Sequence, residues 1–140
     1  MKYRGIFFLL ISVIALVTLA TCGKRAVTPQ GGITVGGTIS TDRAASAEIF
    51  LDVSDDSSTI EKVSLVFTDL KCEGFTAGSM MTTVSGFTPI TNGEFQYKSA
   101  DIGEINGRFT SSTSAEGTIH LAFYDGKAEC GTSDWTAKAK

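Results

Sequence analysis

Three cysteines, Cys22, Cys72 and Cys130, and one histidine, His120, are the residues of this 140-residue sequence with the widest chemical repertoire. Thiols can ligate a metal, run redox chemistry or pair as a disulfide. Metal or redox use needs a partner close by, a CxxC pair or a Cys/His cluster, and no such spacing occurs. Zinc takes three or four ligands, more than a lone histidine and scattered cysteines supply. A serine hydrolase needs a histidine and a nucleophile on a sharp turn, and there is no GxSxG-like elbow. Carboxylates do pair in sequence: Glu48 with Asp52, Asp52 with Asp55 and Asp56, and Glu129 with Asp134. A glycosidase requires such a pair at a fixed gap across a cleft. Asp55-Asp56-Ser57-Ser58 lacks the spaced D-x-D-x-D-G of a calcium loop and has the composition of a tight turn. The residues therefore point to no catalytic group, no metal and no cofactor.

The first element that positions them runs from Ile6 to Ala20, "IFFLLISVIALVTLA", apolar apart from Ser12 and Thr18 and preceded by Lys2 and Arg4. Crossing a bilayer as a helix takes about 20 apolar residues. Fifteen fit the apolar core of a signal-peptide helix better than an uncleaved anchor. Leu19-Ala20-Thr21-Cys22 resembles the lipobox of bacterial lipoproteins: an aliphatic residue, two small ones, then cysteine. The resemblance covers residues 1–22. It implies removal of residues 1–21, lipid on the Cys22 thiol, further acylation such as palmitate on the new amino group, and a place on the outer face of a bacterial membrane. Two or three acyl chains hold a protein stably where one does not. A cut after Ala20, with Thr18 three residues before it, is the alternative and would release a secreted protein. With Cys22 lipidated, Cys72 and Cys130 remain as a pair in an oxidising compartment, and a structural disulfide between them is expected.

Residues 1–21 hold Lys2 and Arg4 and no acid, so the remaining chain has ten basic and fifteen acidic residues, a formal charge of −5. No like-charged run exceeds Asp55-Asp56 or Lys24-Arg25. A phosphate backbone needs a basic stripe, so nucleic acid is not an expected partner.

Residues 22–32, ending in "GKRAVTPQGG", are polar and Gly-rich and read as a flexible tether, with Val27 the nearest start of an ordered domain. From residue 33 to 140 the sequence alternates with period two. Ile33, Val35, Gly37 and Ile39 share one face; so do Ile49, Leu51 and Val53; Val63, Leu65 and Phe67; Phe95 and Tyr97; Ile105, Gly107 and Phe109. Ala115, Gly117, Ile119, Leu121 and Phe123 continue the pattern, with turn signals at "DDSS", "TNG", "TSSTS" and "YDGK". Such alternation marks half-buried antiparallel strands. The expectation is an all-β domain, a small antiparallel sandwich or barrel with one disulfide. Two short echoes, "GGTIS" with "EGTIH" and "NGEF" with "NGRF", lie at irregular spacing and read as shared β architecture.

"INGRFTSSTSAEGTI" followed by "CGTSDWTAK" resembles a short β domain of exported bacterial proteins. The resemblance spans about residues 33–140 and implies that the late cysteine pairs with an earlier one and that the Trp135 strand ends the domain. Gly74 to Thr91 has the weakest pattern and is expected to be a loop. Its Phe75, Met80, Met81 and Phe87 are the candidate binding residues, or else a lid on the core. His120 is expected on a polar, solvent-facing strand face. The function expected is a lipid-anchored envelope protein with a non-enzymatic binding or structural role and an envelope glycan or protein as partner. The alternatives are a small secreted hydrolase or inhibitor, and a carbohydrate-binding module stacking sugars on Trp135, Tyr97 and Tyr124.

Overall fold

The computed structural model describes residues 25–140. The signal peptide expected at 1–21 and the lipid site expected at Cys22 lie outside the described residues. The strands are β1 (Thr34–Ser40), β2 (Ser46–Val53), β3 (Thr59–Cys72), β4 (Phe75–Pro89), β5 (Glu94–Ser99), β6 (Gly103–Ser111), β7 (Ser114–Phe123) and β8 (Ala128–Ala139), and there is no helix among the described residues.

They form one antiparallel sheet in the order β4-β3-β2-β1-β8-β7-β6-β5. Every consecutive pair is hydrogen-bonded except β4 and β5, and β1 pairs with β8. The architecture is thus an eight-stranded up-and-down meander, nearly closed into a barrel. One ladder is missing, and an open seam stands in its place. Of the two expected all-β forms, the chain adopts the barrel.

The alternation of the sequence is the reason. Ile49, Leu51, Val63, Leu65, Phe67, Ile105 and Ile119 are at most 2% exposed and belong, with Trp135, to a single core whose buried residues come from all strands but β4. Burying a side chain of this size stabilises the fold by roughly 1.5–3 kcal/mol. Trp135 stacks obliquely on Phe95, centroids 6.2 Å apart, and Phe95 on Phe109 at 6.1 Å. Gly37 and Gly117 let neighbouring strands close in. A Cβ on Gly37 would lie 1.8 Å from the Thr136 carbonyl oxygen, and one on Gly117 would lie 1.9 Å from that of Asn106. The echo of "GGTIS" in "EGTIH" is therefore the same contact made twice. The other echo is not: Asn92-Gly93 turns the chain at positive φ, whereas Asn106-Gly107 lies inside β6.

The β2–β3 turn is built as its composition predicts. Asp56 Oδ1 accepts from Ser54 Oγ (2.7 Å), Ser58 Oγ (2.6 Å) and the Ser58 N–H (3.0 Å). These donors, the Ser54 hydroxyl first, hold the exposed Asp56 carboxyl down at about 2. On β2, burial pushes the Asp52 carboxyl up, but the Lys62 ammonium and the Thr34 hydroxyl outweigh it and the net direction is down.

Two expectations are corrected. The tether expected over 22–32 is laid onto the barrel from Val27: Val27 packs on the core, Pro29 is buried and the Gln30 N–H donates to Ser112 O at 2.7 Å. Val27 and Pro29 supply apolar surface that a free tether would leave in water. The loop expected over 74–91 is β4, the longest strand among the described residues. It follows β3 through the two-residue turn Glu73-Gly74, where Gly74 takes φ 80°, a conformation that favours glycine.

The expected disulfide is present: Cys72, at the end of β3, is bonded to Cys130 in β8, two strands that are not neighbours in the sheet. Beside it, Glu73 and Glu129 exchange backbone hydrogen bonds of 2.9 and 3.2 Å, and Phe75 packs on Phe123 and Tyr124. The tip of the β3–β4 hairpin is thereby stapled to the β7–β8 turn.

Candidate functional site

A concavity of about 1110 Å³ lies over β5–β8 and the β4–β5 turn. Register explains its make-up. Phe95, Gly107, Gly117 and Trp135 are cross-strand partners in one row, with Phe95 and Trp135 buried and the two glycines presenting only backbone. Polar rows flank it. Gln96, Asn106, Thr118 and Asp134 form one, and Glu94, Arg108, Glu116 and Thr136 the other. The alternation that buries the first row turns these side chains to the opposite, solvated face.

The polar groups are held in place by one another. Gln96 Nε2 donates to Glu104 Oε1 and Asn106 Oδ1, both at 2.8 Å, and Asn106 Nδ2 donates to Glu104 Oε1 at 2.9 Å. The Asn106 amide and the Lys98 ammonium hold the Glu104 carboxyl below its ordinary range. Arg108 donates from both Nε and Nη2 to Glu116 Oε1. Three carboxylates (Glu94, Glu116 and Asp134) and one guanidinium face the cleft; no histidine, cysteine or serine lines it. Such a surface offers amide, hydroxyl and carboxylate hydrogen bonds in fixed positions, which suits a polar, hydroxyl-rich ligand.

Of the residues singled out from sequence, Phe75 and Met80 are half-buried against the core, while Met81 and Phe87 are 70% and 81% exposed, all four on β4. The three rings named for sugar stacking do not meet. Trp135 is interior, Tyr97 is half-buried on β5, and Tyr124 stands exposed in the β7–β8 turn with its edge to Phe75. His120 is solvent-facing, as expected, with Nδ1 3.1 Å from Thr132 Oγ1 and Nε2 3.4 Å from Glu129 Oε1. The acid pairs are dispersed: Asp52 binds Lys62, Asp56 orders its turn, and Glu129 accepts from the Gly131 N–H. No cluster of three or more His, Cys, Asp or Glu able to hold a metal occurs among the described residues.

The cleft groups Gln96, Asn106, Arg108 and Glu116 were legible in sequence only as polar strand positions. Their convergence depends on which strand pairs with which. Compared with protein-family models, curated proteins and solved structures, the chain matches none.

Proposed function

We propose that the chain is a lipid-anchored, extracytoplasmic envelope protein whose disulfide-bridged barrel binds a partner without catalysing a reaction on it. One observation carries this. Cys72 and Cys130 are bonded to each other, so Cys22 is the odd cysteine, and it follows Leu19-Ala20-Thr21 at the end of an apolar run. A lipidated Cys22 accounts for the odd count, and an exported location accounts for the bridge. Metabolic labelling with palmitate is expected to mark the wild-type protein and to leave Cys22→Ser unlabelled. Equal labelling of both would end the anchor proposal.

The recognition surface in this reading is the polar cleft, and the partner an envelope glycan. Convergent amide, hydroxyl and carboxylate groups favour hydroxyl-rich ligands, and with no exposed ring in the cleft the affinity rests on hydrogen bonds alone. Soluble peptidoglycan fragments are expected to shift the side-chain amide resonances of Gln96 and Asn106, with binding weakened about tenfold, the equivalent of one net hydrogen bond, in Asn106→Ala. Unmoved amide resonances at saturating fragment would refute the glycan assignment while leaving the lipid anchor standing.

A further inference from the structure

We propose that β4 is a self-association edge, and that two copies of this chain pair their β4 strands antiparallel about a two-fold axis. In each chain β4 is hydrogen-bonded on one side only, and its 15 residues exceed twice the 6 of the other edge strand, β5. A free row of backbone N–H and C=O groups is a template for another strand, which folded proteins commonly guard with charge. β5 carries Glu94 and Lys98; from Phe75 to Pro89 β4 carries no charged residue. Two of the three exposed large hydrophobic side chains among the described residues, Met81 and Phe87, also lie on it.

The strand's own pattern names the occupant. A second β4 laid antiparallel along its full length places Thr82 opposite Thr82. Met80 then faces Val84, Met81 faces Thr83 and Ser79 faces Ser85. Met80 and Val84 are the half-buried apolar residues packed against the barrel core, so each covers the other's open flank. On the solvated face Ser79 meets Ser85 and Met81 meets Thr83, and the two Met81 side chains become diagonal neighbours within reach of each other. No like charges oppose one another anywhere along the contact. The contact is isologous and closes at two chains.

Light scattering on the full chain in detergent, with the detergent mass separated, tests the assignment across a dilution series. Wild type is expected at the mass of two chains. Met81→Lys/Thr83→Lys sets lysines opposite lysines at two exposed positions and is expected at the mass of one. Gln96→Lys/Thr110→Lys adds the same charge on β5 and β6 and is expected to stay at two. A wild type of one chain at every concentration overturns the proposal. So does a dimer that survives Met81→Lys/Thr83→Lys, or one that the β5–β6 control dissolves. Should the β4 variant fail to fold, amide exchange on wild type decides instead: β4 amides are expected to slow with concentration, and concentration-independent exchange there overturns the pairing.

Discussion

Replacing Cys72 and Cys130 together by alanine is expected to lower unfolding stability by about 4 kcal/mol, the chain-entropy value for a closed loop of this length. The two cysteines are 58 residues apart, so the bridge removes a large set of open conformations from the unfolded chain. Domains of this size have only about 5–15 kcal/mol in total, which makes this the largest single contribution assigned to any one bond here. Its location sharpens the effect. The bridge joins β3 to β8, which share no ladder, and it holds a hairpin whose outer strand has just one buried residue, Thr88. Without it the tip at Glu73-Gly74 keeps only the two backbone bonds to Glu129 and the ring contacts of Phe75. Urea unfolding of wild type and the double alanine variant measures the difference directly. A loss below about 1 kcal/mol would mean that the unfolded chain is already restricted between these points, and the entropic account would be wrong.

The strands that sequence made legible are those with two unlike faces. Ile49, Leu51 and Val53, or Ile105 and Phe109, alternate with polar residues because one side of the strand meets the core and the other meets water. β4 was not legible because it is an edge strand whose side chains are half-buried at best apart from Thr88. Its inward positions are only half-buried and mix Ala77 and Thr82 with Met80 and Val84, so the alternation in burial is not matched by one in hydrophobicity and "FTAGSMMTTVSGFTP" reads as a loop although it is a strand. The cleft was invisible for a different reason. Gln96, Asn106 and Glu104 come together through the β5–β6 register, and Arg108 and Glu116 through β6–β7. Pairing register is a property of two segments at once, which no pattern within either segment contains. The disulfide was legible because cysteine arithmetic is independent of register.

Trp135→Ala is expected to cost about 3–5 kcal/mol, and Trp135→Phe to stay within about 1 kcal/mol of wild type. Trp135 is 2% exposed, and its ring fills the barrel interior beside Phe95. It also lies directly under β6: a Cβ on Gly107 would come within 2.8 Å of Trp135 Cζ2. Alanine would leave a cavity beneath the glycine row that floors the cleft. Phenylalanine keeps most of the ring. It also removes the indole N–H, which is buried and has no hydrogen-bond partner among the described residues. Burying an unpaired donor costs free energy in the wild-type fold, so its removal offsets part of the lost packing. The two variants should therefore separate in a second observable as well. In Trp135→Ala the backbone amide resonances of Asn106, Gly107 and Gly117 are expected to move, since their support from below is gone, while in Trp135→Phe they remain near their wild-type positions. Equal destabilisation by both substitutions would show that a phenyl ring does not restore the packing of Trp135, and the packing account would be wrong.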